Sequence, residues 1–552
     1  MMKVNRRQIM KTSAAAVYGL AMLPAVSGAQ GRSEIEPGPF AADWDSLAAN
    51  YRAPDWFRDA KFGLWAHWGP QCVPETGDWY AREMYLQGSR AYEHHLATYG
   101  HPADTGFMDL LPKWTAEHFD PGELVRFYKS AGARYFVAMA NHHDNFDAYD
   151  SKFHEWNSTR IGPKRDVIGL WAKAARAEGL RFGVSNHSAH AWHWFQTAYD
   201  YDPEGPRAGQ RYDAYKLQKP DGKGKWWDGL DPQTYYAGPS MVMPDGIKTL
   251  DTANAWHEAN DRKWDESAPK QNPAFVRQWF LRCKDLMDTY EPDLVYFDNF
   301  GLPLEQAGLD VTAHFYNRSI KRHGSLQAVV NCKEIQIEAR RKAVVEDVER
   351  GLRSEIHDAP WQTDTCLGHW HYDRELFEKK GYKSAASVIH MLCDVVSKNG
   401  NLLLSVPVRP DGTIDSEERR IVSEIGEWMQ LNGEDAIYGT RPWRQYGEGP
   451  TEVMSGIFAE NRQKPFTWQD IRYSTKDGVV FAMTLGQPAG DSLILTAFAK
   501  GRGGKVEQVE LLGSAAPLTF EQRIDGLRID VPQTAGHRFG AVFRIRGHSL
   551  TS

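Results

Sequence analysis

Cysteine is scarce in this sequence, and its few copies form no pattern. The 552 residues include five cysteines, an odd number without any C-x-x-C pair: Cys72, Cys283, Cys332, Cys366 and Cys393. A dispersed, odd set argues against a disulfide framework and against a cysteine-based metal site. The fold must therefore rest on a packed core, for which the chain is long enough.

An excess of basic charge and long apolar runs in the body of the chain are also missing. The formal net charge is −7 at pH 7, whereas nucleic-acid binding needs clustered lysine and arginine. We therefore expect no nucleic-acid partner. Beyond the N-terminal region no run is long and apolar enough to cross a bilayer, so we also expect no membrane span.

The N-terminus has the three parts of an export signal. The paired Arg6 and Arg7 precede an apolar run at 14–26, and the small-residue sequence S-G-A ends at position 29. This order predicts a twin-arginine signal peptide at residues 1–29 and an exported bacterial protein, in the periplasm or secreted. A short core helix is the alternative, and the basic flank disfavours it.

Strand-like apolar runs alternate with amphipathic helical stretches over residues 43–432. The predicted helices are 121–130, 166–178 and 273–290, and the predicted strands are 62–67, 135–140, 181–185, 294–297, 328–330, 343–345 and 402–406. Such alternation indicates a parallel sheet covered by helices. The length suits a (β/α)8-type barrel with insertions, so we predict an α/β catalytic domain of that type.

Two regions depart from this pattern. Residues 195–258 are rich in Asp, Gly, Pro, Tyr and Trp without clear periodicity, which indicates a long loop, either over the active face or elsewhere on the surface. Residues 433–552 contain short β runs separated by Gly, Asp and Pro, at 478–485, 492–498, 506–511, 527–531 and 540–545. This second pattern predicts a C-terminal antiparallel β-sandwich.

Polar residues stand at the ends of four predicted strands. His67 ends the first strand, His142 and His143 end the second, His187 ends the third and Asp298 ends the fourth. In (β/α)8 barrels the carboxyl ends of the strands meet at one mouth. Several imidazoles and a carboxylate at equivalent positions indicate a functional site rather than isolated structural residues.

Two chemistries could use this set. Histidines and aspartates could hold a divalent metal for hydrolysis, or imidazoles could bind sugar hydroxyls while carboxylates do the chemistry. No H-E-x-x-H or H-x-H pattern is present, and His142 and His143 would point in opposite directions if both lay on a strand. We therefore favour the second chemistry and predict neither a metal nor a cofactor. The 20 tryptophans fit sugar binding, but they equally fit the core of a large barrel.

Five stretches, in order, resemble glycoside hydrolase family 29, the α-L-fucosidases. They are KFGLWAHWGP from Lys61, DWY from Asp78, HHDNF from His142 with WN at 156 and GPKRD at 162, YEPD from Tyr290 leading to YFD at 296, and VSKNGNLLL from Val396. Any one motif alone would be weak. Together they are specific and extend over nearly the whole mature chain.

The resemblance implies a retaining mechanism with a strand-end aspartate, here Asp298, as the nucleophile. A second carboxyl group protonates the leaving oxygen and then activates water. The position of this acid/base varies in the family; Glu349 is the predicted residue and Glu346 is the alternative. Arg350, the neighbour of Glu349, could instead make Glu349 part of a structural ion pair.

The resemblance also assigns residues to sugar binding. His67, His142 and His143 match family histidines that contact sugar hydroxyls. Trp79 matches a tryptophan of the same pocket, and Tyr296 takes the place of an aromatic residue two positions before the nucleophile. For these two aromatic residues, packing in the core is the alternative explanation.

Three further substrate contacts are predicted where the sequence departs from the family. Asp78 stands where a glutamate is common, Lys333 lies near where some members have a pocket arginine, and His187 follows a strand end that contains a tyrosine in other members. A fourth departure is Gln362, where many members have glutamate. These changes leave the reaction class intact and the exact sugar open.

Together, these features predict an exported, retaining exo-α-L-fucosidase that acts on fucose-containing glycans. The same mechanism on α-L-galactose or on sulfated fucose is an alternative, because L-fucose and L-galactose differ only at C6. A carbohydrate-binding protein without activity is a second alternative. The sequence does not indicate an oligomeric state.

Overall fold

The computed structural model describes residues 34–502, 504–531 and 537–551; the predicted signal peptide lies outside them. Eight parallel strands close into a barrel in chain order, and the last strand pairs with the first. They are β1 (Phe62–Ala66), β2 (Tyr135–Asn141), β3 (Arg181–Asn186), β4 (Leu294–Phe300), β5 (Val329–Lys333), β6 (Val345–Asp347), β7 (Trp361–Cys366) and β8 (Gly400–Ser405). The predicted α/β barrel is thereby confirmed.

The barrel forms because its strands are covered on both faces. All residues of β1, β2, β5 and β8 are buried, as expected for a parallel sheet between helices and a filled interior. The covering helices are Pro121–Ser130, Val167–Ala177, Pro273–Tyr290, Gln306–His323, Ala385–Ser397 and Ser416–Asn432. Among the described residues, no helix is both long enough and apolar enough to cross a bilayer.

Local sequence determines where several of these helices begin. The side chain of Asp120 accepts a hydrogen bond from the backbone N–H of Glu123, and Pro121 occupies the first turn. Asp166 caps the next covering helix in the same way through the N–H of Gly169. Both features satisfy or remove backbone donors that a helix N-terminus leaves unpaired.

The strand β7 was absent from the sequence-based prediction. Its middle residues are Gln362, Thr363, Asp364 and Thr365, and all four are buried. A search for apolar runs misses such a strand, because the side chains that face the inside of the barrel are polar. These polar side chains are held by hydrogen bonds instead; Gln362, for example, donates to Asp347 at 2.9 Å.

The insertion at 195–258 is more ordered than the predicted loop. It contains the short helices Asp213–Lys216, Pro232–Tyr235 and Leu250–Ala259. Its Asp213 is buried and accepts hydrogen bonds from the hydroxyls of Tyr85 and Tyr236. Such tertiary contacts order the segment although its sequence has no helical or strand periodicity.

The other short helices are Trp44–Asn50, Asp55–Ala60, Tyr80–Glu83, Arg90–Thr98, Ala191–Trp194, Glu338–Arg341 and Arg374–Glu378.

The C-terminal region forms two antiparallel sheets, which confirms the predicted β-sandwich. The sheet orders are β13-β16-β11-β10-β9 and β12-β15-β14, and both sheets contribute to one core. The strands are β9 (Arg441–Glu448), β10 (Ile471–Lys476), β11 (Val479–Thr484), β12 (Ser492–Leu495), β13 (Lys505–Leu511), β14 (Phe520–Gln522), β15 (Leu527–Asp530) and β16 (Val542–His548). The boundary between residues 432 and 433 stays a prediction.

A buried group of three charges joins the barrel to the sandwich. Asp394, on a covering helix, lies 2.6 Å from Lys398 Nζ and 2.6 Å from Nε of Arg472 on β10. Burial opposes the ionisation of Asp394, but the two cations outweigh it and lower the pKa of its carboxyl group. Charges withdrawn from water in this way are stable only as a complete set.

Asp394→Ala should therefore lower the free energy of unfolding by about 3–5 kcal/mol, because it leaves two buried cations unpaired. Chemical denaturation followed by circular dichroism measures this change. A matched control is Arg160→Ala, which breaks the pair with Glu155 in which both side chains are about half exposed; its effect should stay below about 1 kcal/mol. Equal effects of the two substitutions would contradict the assigned role of Asp394.

Candidate active site

A pocket of about 210 Å³ opens at the carboxyl ends of the barrel strands. Nine of the predicted site residues line it: His67, Trp79, His142, His143, His187, Tyr296, Asp298, Lys333 and Glu349. The barrel thus brings together residues that are more than 280 positions apart in the chain. Asp78 and Glu346 do not belong to this lining.

Asp298 is held by three basic side chains. Its Oδ1 lies 2.7 Å from Lys333 Nζ, and its Oδ2 lies 3.2 Å from His143 Nε2 and 3.1 Å from His187 Nδ1. Burial by itself would raise the pKa of this carboxyl group. Lys333 and the two histidines outweigh burial and hold the pKa of Asp298 well below its ordinary value. Asp298 is therefore ionised at neutral pH.

Lys333 also contacts the second carboxylate of the pocket. Its Nζ lies 2.5 Å from Glu349 Oε2. Since one nitrogen touches both carboxylates, their contacting oxygens are no more than about 5 Å apart. Burial opposes the charge of Lys333, but the two carboxylates outweigh it and raise the pKa of the ammonium group.

The two candidates for the acid/base lie in different surroundings. Glu349 faces the pocket beside Lys333. Glu346 accepts a hydrogen bond from the backbone N–H of Ile335 at 2.9 Å, and its other oxygen lies 3.3 Å from Arg353. Because its oxygens face these partners, Glu346 is engaged outside the pocket.

The alternative in which Arg350 forms an ion pair with Glu349 is wrong. Arg350 directs its guanidinium group to Glu460, a residue of the connection between β9 and β10. Its backbone φ of 44° turns the chain there. Glu349 instead faces the pocket, where it contacts Lys333.

His142 and His143 both line the pocket, because β2 ends at Asn141 and the chain turns immediately afterwards. The expected opposition of their side chains applies only to a continuous strand. His142 Nδ1 lies 2.7 Å from the amide nitrogen of Gln71, and the Nδ1 of His143 donates to the carbonyl of His187 at 2.7 Å.

Burial lowers the pKa of the pocket histidines. It lowers the pKa of His67 and His142 well below the ordinary value, and it lowers that of His143 to about 4 in spite of Asp298. The ring nitrogens of His142, His143 and His187 come within 4.8 Å of one another. Two of these rings already contact Asp298, so the set is arranged around a carboxylate.

Asp78 does not line the pocket but contacts a loop beside it. Its Oδ1 accepts a hydrogen bond from the backbone N–H of His371 at 2.8 Å. The buried ring of His371 lies 4.9 Å from that of His142 and 6.0 Å from that of His67. Asp78 therefore fixes the loop after β7, and this loop places His371 beside the pocket histidines.

Six residues of the lining are not predicted from the sequence: Trp65, Trp264, Phe300, Asp364, Trp370 and Phe458. Trp264 follows the insertion, and its ring is nearly parallel to that of Trp79 with centroids 6.1 Å apart. Phe458 comes from the β9–β10 connection. No local pattern distinguishes these aromatic residues, because their role depends on segments that meet only in the folded chain.

Asp364, in the middle of β7, is a further carboxyl group beside Asp298 and Glu349. It accepts a hydrogen bond from the hydroxyl of Tyr296 at 2.9 Å. Burial, followed by the charge of Glu349, raises the pKa of Asp364 to about 7. The interaction orients Tyr296 against the pocket.

Two facing carboxylates among histidines and aromatic rings, at the mouth of a (β/α)8 barrel, make up the site of a glycoside hydrolase. The particular family follows from the sequence. This chain belongs to the α-L-fucosidase family, whose model matches residues 28–434, and the model of the α-L-fucosidase C-terminal domain matches residues 463–546. The predicted family is thereby confirmed.

Individual relatives agree with this assignment. The chain is 26% identical to the tissue α-L-fucosidase of Rattus norvegicus over 94% of this chain and 93% of the relative. It is 25% identical to the tissue α-L-fucosidase of Homo sapiens, over 90% and 89%. The α-fucosidase of Thermotoga maritima, solved with a mechanism-based inhibitor, shares the fold with a TM-score of 0.66 at 24% identity, over 92% and 99% of the two chains.

Lys333→Met should raise the pKa of Asp298, because it removes the cation that contacts the carboxylate. The predicted nucleophile has to be ionised in order to attack, so the acidic limb of the kcat/KM profile should move to higher pH. The pH–rate profile with an aryl α-L-fucoside measures this. Lys333→Arg, which keeps the charge, should leave the limb near its original position; an unmoved limb in Lys333→Met would contradict the assignment.

Proposed function

We propose that this chain is a retaining exo-α-L-fucosidase that releases terminal α-L-fucose from glycans by double displacement. One observation carries the retaining mechanism: a shared contact with Lys333 keeps Oδ1 of Asp298 and Oε2 of Glu349 within about 5 Å of each other. Retaining glycosidases separate these groups by about 5–5.5 Å, whereas inverting enzymes leave about 6.5–9.5 Å for a water molecule.

The two carboxyl groups divide the reaction between them. Ionised Asp298 attacks the anomeric carbon, the bond to the leaving oxygen breaks, and that oxygen takes the proton of Glu349. Water then attacks the glycosyl ester while Glu349 accepts a proton from the water, and the ester bond breaks to regenerate Asp298. The low pKa of Asp298 supports its role as the group that starts the cycle as an anion.

The remaining pocket residues suit a single uncharged sugar. In neutral His67 and His142, Nδ1 already contacts Ser405 Oγ and the amide nitrogen of Gln71, so each ring offers its other nitrogen to one sugar hydroxyl group. Trp79 and Tyr296 offer aromatic faces to the C–H groups of the ring. Among the described lining residues, Lys333 is the one lysine or arginine, and both carboxylates already occupy it. This arrangement favours fucose over sulfated fucose.

The proposal includes export to the periplasm or the medium through the signal predicted at residues 1–29. A panel of nitrophenyl α-L-glycosides, with the anomer of the released sugar followed by NMR, tests the activity. Release of α-L-fucose as the first product supports the proposal. Faster release of L-galactose would show that L-galactose, not L-fucose, is the preferred sugar. Release of the β-anomer as the first product would contradict the retaining mechanism. Binding without turnover would indicate a carbohydrate-binding protein.

Asp298→Gly should lower kcat at least about 100-fold, since it removes the nucleophile. Azide can enter the space of the lost carboxylate, so it should restore turnover and give a β-L-fucosyl azide. Asp298→Asn is the matched control; it keeps the shape of the side chain, leaves no space for azide and should be inactive with or without it. Full activity of Asp298→Asn would exclude this nucleophile.

Glu349→Ala should affect substrates according to their leaving groups. Loss of kcat/KM should reach about 100-fold or more for a sugar leaving group, which needs a proton, and stay small for a dinitrophenyl group, which does not. Here azide should replace water in the second step and yield the α-L-fucosyl azide. Glu346→Ala should show no such dependence on the leaving group.

The β9–β10 connection braces the loop that carries Glu349. The backbone N–H groups of Gly456, Phe458 and Glu460 donate to the carbonyls of Leu352, Glu349 and Arg350 at 2.9, 2.9 and 3.0 Å. Oε2 of Glu460 accepts from the hydroxyl of Thr365 at 2.7 Å, and its Oε1 binds Arg350 and lies 3.2 Å from Lys383. Through this ladder, the C-terminal region positions the acid/base.

Glu460→Gln should therefore act through Glu349. A displacement of about 1 Å can cost a catalytic group about 100-fold in rate, so we expect kcat/KM for a sugar leaving group to fall at least tenfold. The loss for a dinitrophenyl fucoside should be much smaller. The matched control, Glu452→Gln, alters an exposed side chain of the same connection and should change neither value. Equal losses on both substrates would indicate a purely structural role for Glu460.

A further inference from the structure

A second cavity, a groove of about 660 Å³, lies directly beside the sugar pocket. Phe300 lines both. The groove is built from the continuations of two catalytic strands: the segment after Phe300, at the end of β4, and the segment after Lys333, at the end of β5. Its shared residue, Phe300, has its ring 5.6 Å from Lys333 Nζ, and Lys333 contacts Glu349, the proposed acid/base on whose side the leaving glycan departs.

The surface of the groove combines apolar faces with polar groups that lack partners. Phe300 and Ile337 are 39% and 50% exposed, and the ring of Trp44 lies 4.9 Å from the guanidinium carbon of Arg340. Within the described part of the chain, no carboxylate pairs with Arg340, and the exposed Gln336 makes no hydrogen bond. Sugars need both kinds of surface, because their rings carry C–H faces as well as hydroxyl groups.

The groove lining carries one arginine and two glutamates, so it does not form an anion site. Arg340 is opposed by the exposed Glu305 and by Glu266, both of the same lining. Glu266 lies 3.1 Å from His190, and it accepts the backbone N–H of Phe300 at 2.9 Å. A sulfated chain would meet these carboxylates as well as the arginine, so an uncharged ligand suits the surface better.

We propose that this groove binds the uncharged sugar units to which the terminal fucose is attached. The inference rests on the proposed fucosidase function, since the fucose would occupy the neighbouring pocket. The pocket holds a single sugar, and the leaving glycan must pass over its rim. Phe300 stands at the junction, and its contact with Glu266 keeps its backbone in place.

The test compares two substrates of one enzyme. A nitrophenyl α-L-fucoside has a short leaving group, whereas a neutral fucosylated oligosaccharide extends several sugar units further. The variant Gln336→Ala/Ile337→Ala removes two exposed side chains of the groove, and Trp44→Ala removes its aromatic wall. We expect the ratio of kcat/KM for the oligosaccharide to that for the nitrophenyl fucoside to fall about tenfold in each, equivalent to about 1.4 kcal/mol of binding.

Ile494→Ala is the matched control, because Ile494 is 44% exposed on the sandwich and distant from the groove in the chain; its ratio should equal that of the unaltered protein. Unchanged ratios in the groove variants would show that the groove does not bind the leaving glycan, and they would leave the fucosidase function intact. Failure of the unaltered protein to cleave either fucoside would overturn the function itself. A preference for a sulfated oligosaccharide that disappears in Arg340→Ala would contradict the proposal that the groove binds uncharged sugar units.

Discussion

The contact of Lys333 with Asp298 and Glu349 is the interaction on which the rest of the site depends. Two carboxyl groups buried side by side are poorly solvated, and a cation that contacts both holds them close together. The charge of Lys333 also lowers the pKa of Asp298. Three successive strands of the barrel place the three residues side by side. Asp298 lies on β4, Lys333 ends the adjacent β5, and Glu349 follows the next strand, β6.

Around this ionic centre, the charged groups of the pocket and its neutral hydrogen-bonding groups are different residues. Burial keeps His67 and His142 neutral, whereas the charge of Lys333 is the main influence that keeps Asp298 anionic. A sugar presents hydroxyl groups and one reacting carbon, and such a division serves both. In the proposed reaction, neutral imidazoles orient the sugar ring without adding a second charge beside Asp298.

The barrel alone does not complete the pocket. Trp264 follows the insertion and Phe458 comes from the β9–β10 connection, and both stand in the lining. The same connection forms three backbone hydrogen bonds with the loop of Glu349 and places Glu460 against Arg350. The C-terminal region therefore contributes to the geometry of the site as well as to the core shared by its two sheets.

The sequence by itself determined the barrel, the sandwich, the family and nine of the residues that line the pocket. These follow from local patterns: buried apolar strands, strand-end polar residues and short motifs. Tertiary structure alone decided the partner of Arg350, the separation of the carboxylates, the hidden strand β7 and the place of Trp264. The reason is that side-chain direction and the meeting of distant segments depend on packing and burial, which no local pattern contains.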